Sequence, residues 1–478
     1  MSTFVNALIN QEARTENGMK ARASTANALT DFFFKAGAMR KQNIIPTWTA
    51  ARVENADLAC RLALWLRDVR GGAGERKAFR DILYDLANTD GDRAHALMRR
   101  VPEIGRWDDL LVLINTPLWD QAVFMIKCAL EDNNGLCAKW MPRKGNEAVV
   151  LRNALGWSPK YYRKRLVELT KVVETQMCAK DWDNINFNHV PSIAASRYKK
   201  AFNRHTEKYK EWATKLVSKD PEVAKEVKVN AGAIFPHDVI KQLFNVGWGL
   251  SSSVKDLSKA ELDVITAQWE ALPNYVGDAN ILPLVDVSGS MVVGVSGNTR
   301  ALDVAVSLGL YLADKNKGKF KDTFLTFSSD PQLLHLNGNI VDKANQMNTS
   351  KWEMSTDLHK AMDKILKTAI DGNVPQEEMP NMLLILSDMQ FNQCTRFDDS
   401  AMEMISRKYE AAGYNVPAIV FWNLNAKDNV PVKHDESGVA LVSGFSPSIL
   451  KGVLSADTDE FTPMGIMMKT IMSDRYDF

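Results

Sequence analysis

The chain has 478 residues, a net charge of +1, and apolar and charged fractions (45% and 24%) typical of a folded protein with two or three domains, not a disordered or collagen-like one. No run of eighteen apolar residues exists and Met1-Ser-Thr-Phe-Val lacks a basic start with an apolar core, so neither a membrane span nor a signal peptide is expected. The five cysteines (Cys60, Cys128, Cys137, Cys178, Cys394) are scattered with no Cys-x-x-Cys, which predicts reduced thiols, a cytoplasmic protein and no structural zinc.

The near-neutral total hides an asymmetry. Residues 1–277 carry 41 Lys+Arg against 32 Asp+Glu, and residues 278–478 carry 18 against 26. A basic first part suits a polyanionic partner and an acidic second part suits a cation. Mutual attraction of the two parts would also explain it. We read residues 1–275 as one domain and 276–478 as another.

The first domain reads as nearly all helix. Apolar residues recur with a 3.6-residue period over 55–68, 75–88, 117–130, 159–175 and 192–218, with breakers between them. Ser158-Pro159 is an N-cap followed by proline at the first helical position. Helix pairs joined by short turns predict an α-solenoid of HEAT type, without a strict sequence repeat.

Four strings in this domain carry more than periodicity. In Arg67-Asp-Val-Arg70-Gly71-Gly72-Ala-Gly74-Glu-Arg76-Lys77, three glycines and four cations mark a bend between helices. Its backbone N–H groups and cations can take a phosphate, or its glycines can permit a tight helix crossing. In Glu103-Ile-Gly-Arg-Trp107-Asp108-Asp-Leu110, Trp107 reads as core and Asp108 as a first-turn acid. Lys139-Trp140-Met-Pro-Arg143-Lys144 is a basic loop beside an aromatic. From Leu151 to Lys215 there are 14 Lys+Arg and 6 Asp+Glu, including Tyr161-Tyr162-Arg163-Lys164-Arg165 and Arg197-Tyr198-Lys199-Lys200. Cations interleaved with tyrosines suit single-stranded nucleic acid, and a solvated helix face has the same local look. His189 and His237 have no partner at catalytic or metal spacing and read as packing residues.

From residue 278 the pattern alternates strand with helix, which predicts a doubly wound parallel sheet. Strands are expected at 281–286, 322–327, 332–336 (a short edge), 382–386, 416–422 and 438–442, with helices between most of them and a last helix after Ser446-Pro447. The first strand runs straight into Asp286-Val-Ser288-Gly-Ser290. The helix opening at Thr356-Asp357 and the strand ending in Ser387-Asp388 bring two more loops to the same edge. Asp286, Ser288, Ser290, Thr356 and Asp388 thus offer oxygen donors where α/β sheets bind ligands, and such donors suit Mg²⁺ or Mn²⁺.

This three-loop pattern resembles the metal-ion-dependent adhesion site of von Willebrand factor A domains. There the corresponding Asp, two Ser, Thr and Asp hold one divalent ion that keeps a position open for a partner's carboxylate. Together with Leu66-Arg-Asp-Val-Arg-Gly-Gly-Ala-Gly-Glu-Arg76, the Glu103–Leu110 string, Tyr162-Arg163, Val190-Pro-Ser192, Leu386-Ser-Asp-Met-Gln-Phe391 and Leu441-Val-Ser-Gly-Phe445, the chain resembles a family of plant, viral and bacteriophage proteins. That family joins a TROVE-like helical domain to a C-terminal A domain and is distantly similar to Ro ribonucleoproteins. The resemblance implies a helical ring closed by the A domain and RNA as partner, and the sequence shows no Ser/His/Asp or Cys/His constellation, phosphate loop or histidine-rich metal cluster, so no catalysis is expected. The basic strings above, not an alignment with the family, name the nucleic-acid contacts expected: Arg67, Arg70, Arg76, Lys77, Arg143, Lys144, Arg163, Lys164, Arg165, Arg197, Lys199 and Lys200. It leaves a second function open, a metal-dependent adaptor that grips an acidic residue on a protein partner, some A domains working with AAA+ ATPases. For a phage protein the compartment would be the host cytoplasm.

Overall fold

The structure, a computed structural model, describes residues 13–244, 255–327, 329–349, 357–393, 399–456 and 460–478. A short hairpin, β1 (Ala13–Arg14) and β2 (Lys20–Ala21), comes first. Fifteen helices follow among the described residues. They are α1 (Ala28–Ala36), α2 (Ile45–Glu54), α3 (Ala56–Arg67), α4 (Arg76–Thr89), α5 (Gly91–Ile104), α6 (Trp119–Glu131), α7 (Gly135–Trp140), α8 (Gly145–Ala154), α9 (Pro159–Leu169), α10 (Val173–Cys178), α11 (Ser192–His205), α12 (Glu207–Leu216), α13 (Pro221–Lys225), α14 (Pro236–Ile240) and α15 (Lys259–Glu270).

Their boundaries follow local chemistry. Asn55 caps α3 by accepting from Asp57 N (3.1 Å) and Leu58 N (3.0 Å), and Ser158 caps α9 by accepting from Tyr161 N (3.2 Å). Two long periodic stretches are each broken where a threonine is captured by a distant side chain. The 159–175 stretch stops at Leu169 because Thr170 leaves helical geometry and its Oγ1 accepts from Arg143 Nη2 (2.8 Å). The 192–218 stretch divides at Thr206, whose extended backbone accompanies a 2.7 Å hydrogen bond from its Oγ1 to Asp183 Oδ1.

The second half contains β3 (Ile281–Asp286), β4 (Gly294–Ser296), β5 (Thr299–Arg300), α16 (Ala301–Lys315), β6 (Thr323–Phe327), β7 (Gln332–His335), α17 (Ile340–Thr349), α18 (Leu358–Asp371), β8 (Met382–Ser387), α19 (Ala401–Ala411), β9 (Ala418–Asn423), β10 (Val439–Ser443), α20 (Leu450–Leu454) and α21 (Pro463–Ile471). Six strands form one sheet in the order β10-β9-β8-β3-β6-β7, all parallel except the edge strand β7. The hairpins β1–β2 and β4–β5 and the helix α17 carried no sequence signal that we read.

The period of two along each strand sorts the sheet's faces. Val285, Leu384, Leu386, Val420, Trp422 and Val442 join the core shared with α16 and the first helices. Leu284, Leu383, Ile385, Ile419, Phe421 and Leu441 join the core under α18 and α19. On the first face α16 approaches so closely that a Cβ on Gly309 would lie 2.4 Å from Val285 Cγ2.

The helical half both begins and ends on this sheet. At its start, Ser443 Oγ donates to Phe33 O (2.6 Å) and accepts from Gly37 N (3.1 Å), fastening α1 to β10. At its end, α15 packs on α11, α12, α14 and α17, and Trp269 Nε1 donates to Asp314 Oδ2 (2.8 Å) on α16. The two ends also meet each other. Gly74, in a left-handed conformation (φ +75°), faces Phe235 just before α14, so that a Cβ there would lie 3.2 Å from Phe235 Cζ. The Gly71–Gly74 bend is therefore a crowded junction. A Cβ on Gly72 would sit 1.9 Å from Trp65 O. The chain's last residues close over it: Arg475 Nη2 (2.8 Å) and Tyr476 Oη (3.2 Å) donate to the fully buried Asp68.

Candidate metal centre and basic helical surface

The sheet order reverses between β3 and β8. The chain runs outward one way through β6 and β7 and the other way through β9 and β10. This is the switch point at which the carboxyl ends of neighbouring strands leave a crevice. Val285 pairs with Leu386 in register, so Asp286 and Ser387 emerge side by side there.

Asp286 is fully buried. Its Oδ1 accepts from Ser288 N (2.9 Å) and its Oδ2 from Ser387 Oγ (2.6 Å). Asp388 is also fully buried. Its Oδ1 accepts from Gln390 N (3.3 Å), and its Oδ2 has no hydrogen-bond partner among the described residues. Ser288 and Ser290 share a hydrogen bond between hydroxyls (2.9 Å), and the crevice opens to solvent at Gly289 and the half-buried Ser290.

Burial, and next the charge of Asp388, pushes the Asp286 carboxyl well above the usual carboxylate range. Burial likewise raises Asp388, against the opposing pull of the Ser290 hydroxyl beside it. Two carboxyls that cannot both ionise cheaply, one orphaned oxygen and two neighbouring hydroxyls fit a hard divalent cation, which would satisfy all of them at once. Thr356 lies outside the described residues. Its neighbour Asp357 caps α18, accepting from Lys360 N (3.0 Å).

The loop after Asp388 is held in an uncommon shape. Met389 has φ +66°, a strained value for a residue with a Cβ, and such strain persists where surroundings impose it. Here the N-terminal hairpin imposes it. Glu16 N donates to Gln390 Oε1 (2.6 Å), Asn17 Nδ2 to Gln390 O (2.6 Å) and Thr15 Oγ1 to Phe391 O (2.6 Å). Gln390 Nε2 completes the set by donating to Asn429 Oδ1 (2.6 Å). Sequence reasoning gave Ser387 and Gln390 no role, because Gln390's main partners stand 374 residues away along the chain.

The predicted cationic residues divide into two groups. Two are corrected by burial: Arg67 is locked to Asp109 (Nε–Oδ2, 2.8 Å), and Lys199 lies inside, donating to Gln242 Oε1 (3.1 Å). Neither side chain is at the surface, since each sits on the inward stripe of its helix. Three more are engaged: Lys77 with Asp81 (2.5 Å), Arg143 with Thr170, and Arg165 with Leu130 O and Asn133 Oδ1 (both 2.8 Å). Arg70, Arg76, Lys144, Arg163, Lys164, Arg197 and Lys200 are exposed, and their side chains form no ion pair or hydrogen bond among the described residues. His237 is a packing residue, wedged between Phe235 and Phe445, and burial pushes it down to about 4.

The uncharacterized protein L728 of Acanthamoeba polyphaga mimivirus is 30% identical over 515 residues, covering 96% of this chain and 86% of the viral protein. The chain belongs to the family of that viral protein. Two described families match in succession and meet where β3 begins: Domain of unknown function (DUF2828) over residues 143–280 and Domain of unknown function (DUF7788) over residues 280–471. Among solved structures, the chain is similar to the Deinococcus radiodurans RO (RSR) protein, with a TM-score of 0.49 and 14% identity over 94% of this chain and 99% of that one.

Proposed function

We propose that this protein binds RNA along its helical half and uses a Mg²⁺ or Mn²⁺ ion at the sheet's switch point for contact rather than for chemistry. The observation that carries the RNA reading is the set of seven exposed cations without partners on the helical half. Each of these solvated cations is available to displace a counterion from a polyanion, and they cluster on the half of the chain that carries the excess positive charge. Asp286, Ser288, Ser290 and Asp388 would hold the ion, which supplies positive charge for an incoming oxygen ligand.

The test is filter binding of single-stranded RNA across a salt series. Wild-type affinity should fall steeply with salt, and replacing Arg163, Lys164, Arg197 and Lys200 together by Gln should flatten that dependence by about 0.7 log units per lost phosphate contact. An unchanged slope and affinity in this variant sinks the assignment. Sequencing the nucleic acid that copurifies would identify the RNA.

The solvent opening at Ser290 favours a second reading, a metal-dependent adaptor whose ion grips an acidic residue of a protein partner, an AAA+ ATPase among the candidates. In that case Asp286→Ala abolishes partner capture and leaves RNA affinity intact. Loss of RNA affinity with capture retained rejects it.

A further inference from the structure

Three strings that stand apart in the sequence converge on one place. Arg67 of α3 and Arg80 of α4 both reach Asp109, at 2.8 and 2.7 Å, and Arg80 Nη2 also reaches Asp108 at 3.0 Å. Arg106 binds Asp108 from the other side (Nε–Oδ1, 2.9 Å), and its guanidinium lies flat over the Trp140 ring, 3.4 Å from the centroid. Arg106 spends Nε and Nη2 on Asp108, and its Nη1 has no partner among the described residues.

Arg76 stands one helical turn before Arg80 on the same face of α4. It is exposed, with no side-chain partner among the described residues. Its position is unfavourable in three ways. It is a cation in the first turn of a fourteen-residue helix, where the dipole disfavours positive charge. It has a like charge at i+4. It also feels Arg106: partial desolvation where the side chain leaves α4, then the charges of Arg106 and Arg80, holds its guanidinium below its ordinary value.

The local charges do not balance. Arg67, Arg76, Arg80 and Arg106 gather around Asp108 and Asp109, and Arg67 also lies near Glu75, which Arg40 pairs. The other acids nearby are already matched: Glu75 by Arg40, Asp68 by Arg475, Glu103 by Arg100 and Asp81 by Lys77. Two positive charges remain over, on a half-buried ledge whose guanidinium plane is fixed by an aromatic ring. One phosphodiester, with its single negative charge, would offset half of that excess and accept charge-assisted hydrogen bonds from both guanidinium groups.

We infer that Arg76 and Arg106 form a built subsite for one phosphate of single-stranded RNA, with Trp140 as the positioning residue that holds Arg106 in plane. The inference rests on the RNA reading above and sharpens it to a specific contact. The free cations on α9 and α11 give general attraction. This ledge gives a fixed point of register.

The test uses the full-length chain and Arg76→Gln, which keeps a helix-forming side chain and removes the charge. Filter binding of a uridine oligonucleotide over a salt series should show about a tenfold loss of affinity and a log–log slope shallower by about 0.7, the value for one single-strand contact. Without RNA, the melting temperature of Arg76→Gln should stay equal or rise, because a repelled cation is gone. Inorganic phosphate should raise the melting temperature of the wild type and not of the variant. Lys225→Gln, a remote exposed cation paired with Glu222, should behave as wild type in all three measurements. If the wild type binds RNA and Arg76→Gln binds it with the same affinity and slope, the subsite is wrong. If the wild type binds no RNA yet phosphate still protects it through Arg76, the anion site stands and the RNA assignment of it falls.

Discussion

The switch-point crevice makes a quantitative prediction about stability. Asp286 and Asp388 are fully buried and both raised, burial being the larger cause, and Asp388 Oδ2 lacks a partner. A cation that binds the folded crevice at one hundred times its dissociation constant stabilises it by about 2.7 kcal/mol. For a unit of the size of the sheet half, each kcal/mol moves the midpoint by roughly 2–4 °C, so saturating Mg²⁺ or Mn²⁺ should raise melting by roughly 5–10 °C over EDTA. The pH dependence has a definite sign. Both native carboxyls titrate above their unfolded values, so between the ordinary carboxylate range and the raised native values the folded state holds more protons than the unfolded one. Metal-free stability therefore falls as pH rises through that window, while the ion binds the deprotonated pair and its stabilisation grows. The shift should be small at about pH 5.5 and full at about pH 8. Asp286→Asn should abolish the shift, yet leave the metal-free protein no less stable, because one buried charge and its repulsion disappear. Differential scanning fluorimetry with either ion or EDTA at both pH values measures all of this. A wild-type midpoint indifferent to metal, or an Asp286→Asn variant that keeps the shift, refutes the reasoning.

Gln390→Leu keeps the backbone N–H that Gln390 donates to Asp388 but removes the side-chain bonds that tie this loop to Glu16 and Asn429, and it should weaken Mg²⁺ affinity about tenfold in calorimetric titration. Arg475→Ala removes the main counter-charge of the buried Asp68, but Arg475 is 35% exposed and Tyr476 still donates to Asp68, so the cost should be about 1.5–3 kcal/mol in urea unfolding. Lys199 is pushed down to about 8 by burial, so the native state holds fewer protons than the unfolded one above that value and stability should rise with pH from there. Lys199→Met should consequently be neutral or stabilising by about 1 kcal/mol near pH 7 and leave RNA affinity unchanged, measured by melting and filter binding.

Much of the sheet half was legible because its strands are buried on both faces, which forces continuous apolar runs such as Ile281–Val285 and Met382–Leu386 regardless of what surrounds them. The placement of the two carboxyls follows from the same local logic: a strand that ends in Asp286, or one residue before Asp388, presents it at the sheet edge whatever the rest of the chain does. Helical content was legible for an equally local reason, the 3.6-residue period. The positions of the breaks at Thr170 and Thr206 were not, since each depends on a hydrogen bond to a side chain 23 to 27 residues away.

Charge was the property that sequence could least interpret. Arg67 and Arg76 stand nine residues apart in one basic string, and either could have pointed to solvent. Tertiary packing sent Arg67 inward to Asp109 and left Arg76 outside, facing Arg106. The Gly71–Gly74 bend likewise admitted two readings, and only the arrival of Phe235, Arg475 and Tyr476 from far along the chain made it a crowded junction. Local pattern determines which residues form strands, helices and caps because those depend on near neighbours. Whether a charge is paired, buried or free depends on which distant segment packs against it, and that was decided only when the helical half came back to the sheet on which it began.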